Sequence, residues 1–287
     1  MSASGLARPC WQRSVLIEHN ERMARDTYRL RIRCPEIARH IVPGQFVMLR
    51  LGGCNDPLLG RPLALYDTVL DEAGTPVGFD VVYLVVGKMT RRLAECGAGQ
   101  ALEIWGPLGN GFRPHPGGAL VMVAGGIGQT PMLALAREAL GLRSYGTATR
   151  ASTRPSRVVL LYGARTKELL AGVDDFRALG LAVKLATDDG SFGHHGFVTE
   201  LLKQQLTGDS KDCRVVCCGP EPMMRAVAEI TAAAKAVCEV SLETPMACGI
   251  GICFSCVAKV RVEQDGWDYR RTCVEGPVFD AAQIVFD

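Results

Sequence analysis

No apolar run in the 287 residues reaches the roughly 18 that would suggest a membrane-spanning helix. Nor does the N-terminus, MSASGLARPCWQRS, offer an apolar stretch that could serve as a signal-peptide core. A cytoplasmic protein without membrane contact is expected. Charge of one sign is also scarce. With 32 Lys and Arg against 30 Asp and Glu, the formal charge of +2 is too small to argue for nucleic acid or an anionic lipid surface. Histidine is rare: His19, His40, His115, His194 and His195 suit no metal or triad spacing. The last two sit in DDGSFGHHG, expected to be a solvated turn. No acid–base constellation stands out, so the chemistry is expected to rest on bound cofactors. Hydrophobic residues, at 48%, suffice for the cores of two or three domains.

Twelve cysteines are many for such a chain. Its size and lack of a signal argue for reduced thiols rather than a disulfide framework. Eight are scattered (Cys10, Cys34, Cys54, Cys96, Cys213, Cys217, Cys218 and Cys238) and read as small buried hydrophobes or incidental thiols. The other four, Cys248, Cys253, Cys256 and Cys273, have four, two and sixteen residues between them. They run through ACGIGICFSC, a strand-like VAKVRV, a polar EQDGW turn and RRTCVEGPVF. This is the plant-type spacing for a 2Fe-2S cluster. A structural zinc site prefers two short-spaced pairs, and only Cys253 and Cys256 make one. Gly249 and Gly251 suit a loop that must bring amide N–H groups to the sulfurs.

From Ala119 apolar runs alternate with helical stretches. ALVMVA (119–124), RVVLLYGA (157–164), LAVKLAT (181–187) and CRVVCCG (213–219) read as strands. A helix is expected after the turn GGIGQTP, with others at 196–206 and 220–235. The alternation implies a mostly parallel sheet covered on both faces, with ligands beyond the carboxyl ends of its strands. Gly125, Gly126 and Gly128 occupy that position, where a pyrophosphate could approach backbone N–H groups. CGPEPMM (218–224) repeats the strand–Gly–helix arrangement. Residues 11–112 differ: short apolar stretches separated by turn residues suggest an antiparallel barrel or sandwich. Within them lies GRPLALYD (60–67), whose Arg61 could pair with a phosphate.

Taken in order, GRPLALYD, GGIGQTPML, CGPEPMM and SLETPMACGIGICFSC followed by TCVEGPVF resemble the ferredoxin-reductase superfamily. Within it they are most similar to the electron-transfer subunits of class 1B dihydroorotate dehydrogenases, over about 15–287. The resemblance implies a multidomain fold: an antiparallel β-barrel FAD domain (11–113), an α/β parallel-sheet nucleotide-binding domain (114–240) and a small C-terminal 2Fe-2S domain (241–287). It implies that Arg61 contacts the FAD diphosphate and that Pro62, Leu63 and Ala64 continue the flavin motif, with Leu63 and Ala64 along the ring system. Ala64 stands where the family usually has Ser, so a hydroxyl near flavin N5 is missing. Lys88, Met89 and Thr90 would lie near the ribityl chain and phosphates. Gly125, Gly126, Ile127 and Gly128 would border flavin and nicotinamide, and Cys218, Gly219 and Pro220 the nicotinamide. Cys248, Cys253, Cys256 and Cys273 would ligate the cluster.

The implied route runs from dihydroorotate, through FMN in a catalytic partner, to the 2Fe-2S cluster, FAD and NAD+, in a heterotetramer. The orotate-forming site would then lie outside this chain. Related readings are the small subunit of a sulfide dehydrogenase or NADPH–ferredoxin oxidoreductase, in which an acidic residue commonly takes the first ligand position, and a stand-alone ferredoxin-type reductase. A non-enzymatic iron–sulfur sensor would lack a use for the flavin and nucleotide motifs. NAD against NADP stays open, since Arg165 and Lys167 follow the second middle strand where a 2′-phosphate could bind. Residues 141–157, GLRSYGTATRASTRPSR, read as a mobile surface loop, and the tail at 1–10 has no assigned role.

Overall fold

The computed structural model describes residues 9–206, 210, 212–262 and 266–286. Residues 1–8 of the tail and 263–265 of the EQDGW turn lie outside them. Strands β1 (Trp11–Ala24), β2 (Thr27–Arg33), β3 (Phe46–Leu51), β4 (Arg61–Leu70), β5 (Pro76–Leu84) and β6 (Ala101–Leu108) close an antiparallel barrel in the order β1-β2-β5-β4-β3-β6. Closure rather than a sandwich follows from the long β1, which pairs with β6 along its first half and with β2 along its second. GRPLALYD supplies β4. Alternate residues such as Leu30 and Ile32, Val47 and Leu49, and Phe79 and Val81 fill the barrel. Helices α1 (Pro35–His40) and α2 (Lys88–Ala94) decorate it.

The second unit is a parallel sheet of β7 (Ala119–Gly125), β8 (Arg157–Ala164), β9 (Ala182–Thr187), β10 (His194–His195), β11 (Cys213–Cys218) and β12 (Val237–Ser241). Helices α3 (Met132–Ala139), α4 (Val173–Arg177), α5 (Val198–Gln205) and α6 (Glu221–Ala233) connect its strands. Strands β7 and β11 are buried on both faces, which explains their unbroken apolar runs. Val121 and Val123 of β7 join one core while Leu120, Met122 and Ala124 join the other. The expected solvated turn at His194–His195 instead forms a two-residue strand on the free edge of β9, and His194 Nε2 bonds the Glu200 carboxylate at 2.7 Å.

The C-terminal segment forms a hairpin, β13 (Val257–Val262) and β14 (Gly266–Arg271), and then returns to the sheet. Strand β15 (Val278–Asp280) pairs antiparallel with β12, extending the sheet to seven strands in the order β10-β9-β8-β7-β11-β12-β15.

Residues 141–157 run over the surface as expected, without regular structure before Arg157, and are anchored at several points. Tyr145 is 3% exposed and its hydroxyl donates to Asp67 at 2.6 Å. The Arg150 guanidinium donates to both oxygens of Glu138, at 2.6 and 3.0 Å, and to the Phe112 carbonyl at 2.7 Å. Backbone bonds from Thr153 to His115 and from Ser156 to Gly118 hold the rest. A few of its side chains, Arg143, Tyr145 and Arg150, tie it to the barrel and to the helix after the glycine turn, while most of its polar residues stay exposed. A second clamp stands beside it, where the Tyr66 hydroxyl donates to Asp175 at 2.6 Å and Arg29 lies between Asp80 and Asp175. Adjacent residues of β4, Tyr66 and Asp67, therefore reach across to the sheet unit by different routes.

Candidate cofactor sites on the barrel, the sheet and the cluster loop

Strand β4 opens at Arg61, whose guanidinium donates only to the carbonyls of Leu59 (3.1 Å) and Gly60 (3.0 Å). Among the described residues it has no carboxylate partner, so its charge is available to a phosphate. Leu63 turns into the barrel core, Pro62 and Ala64 lie on the opposite face of the strand, and Arg61 is half-buried at its start. Pro62 and Ala64 pair across the sheet with Met48 and Phe46. At the start of α2 the Thr90 hydroxyl accepts from the N–H groups of Val86 (3.0 Å) and Gly87 (3.2 Å). Met89 is buried in the barrel core, and the exposed Lys88 pairs with Asp56. Of these three, only Lys88 presents a polar group outward. Exposed Leu58, Leu59 and Val86 flank the two segments and could cover a large apolar ring or base.

Between the barrel and the carboxyl ends of the parallel strands lies a cleft of about 960 Å³. Gly125, Gly126, Ile127 and Pro220 line it, together with Arg165 and Asp188 from the next two strand ends. Gly128, Cys218 and Gly219 stand just behind that lining. Their smallness serves protein against protein. A methyl on Gly128 would overlap the Cys218 carbonyl, and one on Gly125 would come within 2.6 Å of Met223 Sδ. Gly126 is different: at φ +54° it has nothing within 4 Å of a built Cβ, an open cradle beside the cleft. The two strand–Gly–helix turns thus lean on one another and leave one glycine free to face a ligand.

The four cysteines of the C-terminal segment meet in a loop packed against the barrel. Cys256 and Cys273 are buried, at 1% and 2% exposure, in a small cluster with Phe46, Met48, Leu108 and Met246. Cys253 is exposed and Cys248 partly so. The thiols associate as two pairs. Cys253 is within hydrogen-bond reach of Cys248, and Cys273 of Cys256. The Ser255 hydroxyl and N–H, then Cys248, lower the Cys253 pKa to about 6, favouring the thiolate that binds iron. Burial first, then Cys256, pushes Cys273 up to about 12. The Ile250 N–H donates to Cys248 Sγ at 3.4 Å. Gly249 (φ +73°) and Gly251 (φ +83°) supply the left-handed turns that the loop requires.

Among the described residues no three His, Cys, Asp or Glu side chains converge on a point that would hold one metal ion. Four thiols in one loop, two of them buried and two toward solvent, suit a dinuclear cluster with two ligands per iron.

Three residues at these sites escaped the sequence reading. Glu243 lines the cleft, and its carboxyl lies 3.9 Å from Cys218 Sγ. Burial raises the pKa of both, the Cys218 thiol well above its ordinary value. Gln129 also lines the cleft, fully buried with neither end of its amide bonded. Trp105 donates its indole N–H to the Cys248 carbonyl at 2.8 Å. For Glu243 and Gln129 the signal was present, since they fall inside the SLETPMACG and GGIGQTPML segments; Trp105 carries no motif.

Comparison with known proteins agrees with this layout. Residues 14–112 match the oxidoreductase FAD-binding domain, 122–229 the oxidoreductase NAD-binding domain, and 243–285 the iron–sulfur cluster binding domain of dihydroorotate dehydrogenase B. The electron transfer subunit of dihydroorotate dehydrogenase B (NAD(+)) from Desulforamulus reducens is 36% identical over 267 residues, covering 92% of this chain and 95% of that protein. The Caldanaerobacter subterraneus subunit is 33% identical, covering 96% and 99%. Among solved structures, an NADH-dependent reduced ferredoxin–NADP oxidoreductase, described for flavin-based electron bifurcation, superposes with a TM-score of 0.78 at 27% identity. It covers 95% of this chain and 90% of that one. Phthalate dioxygenase reductase, at 18% identity and a TM-score of 0.61, shares the fold.

Proposed function

Because the chain belongs to the family of electron-transfer subunits of NAD-dependent dihydroorotate dehydrogenase B, we propose that its three sites work as one relay between a nicotinamide nucleotide and a catalytic partner. The chain is an NAD-linked oxidoreductase subunit with FAD, NAD and iron–sulfur domains. In this reading it passes electrons from dihydroorotate oxidation in the partner through a 2Fe-2S cluster and FAD to NAD+, as part of pyrimidine biosynthesis. The observation that carries it is the joining of the three sites in one body. The cluster loop packs on β3 and β6 next to the flavin strand, and β4 continues into the clamps that hold the nucleotide cleft.

Bound FAD supplies the exchange between the two-electron chemistry of nicotinamide and the one-electron chemistry of an iron–sulfur cluster. The protein's part is holding and orienting. Arg61 offers an unpaired guanidinium to the diphosphate, while Pro62 and Ala64 present a flat outer strand face. Ala64 offers no hydroxyl there, so hydrogen bonding at that edge is left to backbone groups. Gly126 opens the cleft floor to the nucleotide, flanked by Ile127 and Pro220. Burial beside the cleft raises the pKa of both Cys218 and Glu243, so each holds its proton more tightly than a free side chain. Cys248, Cys253, Cys256 and Cys273 hold the cluster, with the Cys253 side turned to solvent and to a docking protein.

We assign 11–113 to flavin, 114–240 to NAD and 241–287 to the cluster. The partner in this reading is an FMN-containing dihydroorotate dehydrogenase subunit, joined in a cytoplasmic heterotetramer. No described helix is long and apolar enough to cross a membrane. The likeness to the bifurcating oxidoreductase favours a second reading, a small subunit working on ferredoxin. Anaerobic purification from the native host separates the two. Recovery of FAD, a 2Fe-2S signal and a dihydroorotate dehydrogenase with NAD+-dependent activity is expected. A different co-purifying partner would overturn the pathway. The chain alone should reduce dyes with NADH and fail to oxidise dihydroorotate; orotate production by the isolated chain would sink the assignment.

A further inference from the structure

One side chain joins the cluster loop to the start of the flavin strand. Trp105 stands half-buried on β6, and its indole N–H donates to the carbonyl of Cys248 at 2.8 Å. The far edge of the same ring lies against Gly60, where a methyl group would come within 2.8 Å of Cη2. Gly60 immediately precedes Arg61. The indole therefore touches the backbone of a cluster cysteine with one end and the entry to the flavin motif with the other. Its cross-strand neighbour Met48 repeats the pattern. Met48 pairs with Trp105 on one side and Pro62 on the other, and a methyl on Gly249 would come within 2.5 Å of its Cγ.

A partly buried Trp N–H needs an acceptor, and its large rigid ring resists displacement. Within the C-terminal segment itself the outer half of the loop is held by Arg271, which donates to the Gly251 carbonyl at 3.1 Å and lies over the Phe254 ring; Trp105 is what ties its Cys248 end to the barrel. Ile250, Ile252 and Phe254 are exposed apolar residues, and Phe254 sits in the left-handed region at φ +56°. We propose that Trp105 is a positioning residue that locks the Cys248 end of the cluster loop onto the flavin strand, setting the separation across which electrons pass between the two cofactors. This rests on the assignment of flavin to 61–64 and of the cluster to the four cysteines.

The test uses the holoprotein with Trp105→Phe, which keeps a ring and removes the N–H. In rapid mixing with NADH, flavin reduction proceeds at the unmodified rate. Subsequent cluster reduction slows by about fivefold, the effect of losing one ordinary hydrogen bond that holds the loop in register. The electron paramagnetic resonance line shape of the reduced cluster changes, and a chelator removes iron faster. Unchanged cluster reduction, line shape and iron loss together would overturn the proposal. So would slowed flavin reduction with a normal cluster step, which would make Trp105 part of the flavin site alone. If the variant does not accumulate as folded protein, the unmodified protein decides. The Trp105 indole proton should exchange slowly with solvent and shift when the cluster is reduced; exchange as fast as an exposed indole refutes the bond. Absence of flavin or cluster from the unmodified protein would instead be a failure of the cofactor assignment.

Discussion

The nucleotide cleft and the cluster loop use glycine for opposite purposes. At the cleft, Gly125 and Gly128 are small because two strand–helix turns press on each other, and Gly126 alone faces open space. In the loop, Gly249 and Gly251 adopt positive φ, and their missing side chains let the chain lie on Met48 and Val274. The cleft is thus made by elements far apart in sequence, whereas the loop draws its four cysteines from within 26 residues. A site of the first kind depends on the whole fold. The second is a local device that needs one good anchor on the barrel.

The sharpest way to separate the two is to disable the loop alone. Cys256→Ser removes a buried thiol that the proposed function assigns to the cluster. Cluster absorbance should vanish and electron transfer to the catalytic partner fall by at least about a hundredfold, more than the loss of an outer-shell contact. NADH-driven dye reduction should persist. Simultaneous loss of dye reduction would show that loop and cleft are not independent. Next in size is Arg61→Ala. Removing an unpaired guanidinium should weaken FAD binding by about 10- to 100-fold, measured by flavin release on dilution, while leaving the cluster spectrum unchanged.

Within the cleft, the two classes of glycine can be told apart by stability. Gly128→Ala forces a methyl into the Cys218 carbonyl and should cost about 3 kcal/mol in urea unfolding. Gly126→Ala meets no atom and pays only for its left-handed backbone, about 1 kcal/mol, but should weaken NADH binding visibly in titrations. Equal destabilisation by the two would contradict the division between packing and ligand-facing glycines.

The same contrast explains what could be read from the sequence. The iron–sulfur domain was legible because its cysteine spacing is local. The alternation of buried runs with helices placed β7, β8, β9 and β11 within a residue or two of their ends. Hidden were the contacts made over long separations. Strand β15 is three residues long and joins the sheet only because β12 has an edge to offer. The 141–157 segment has the composition of a solvated loop. Only the fold shows Asp67 and Glu138 waiting for Tyr145 and Arg150. Trp105 is one apolar residue in a strand pattern until Cys248, 143 positions later, arrives beside it.

The smallest expected effect concerns Glu243, where cleft and C-terminal segment meet. Burial raises its pKa above the ordinary 4.5, with the nearby Cys218 thiol only partly opposing the shift. The folded protein therefore holds this proton more tightly than the unfolded chain does. The associated stabilisation is fully present below pH 4.5 and is lost as pH rises through the higher folded value, above which the curve levels. Glu243→Gln carries no proton to release, so its stability relative to the unmodified protein should improve as pH rises from 4.5 to neutral. Urea unfolding midpoints at those two pH values measure the difference. A gap that stays constant, or that widens in the other direction, would mean the carboxyl is solvated rather than enclosed. The cleft would then be as open at this end as the cluster loop is around Cys253.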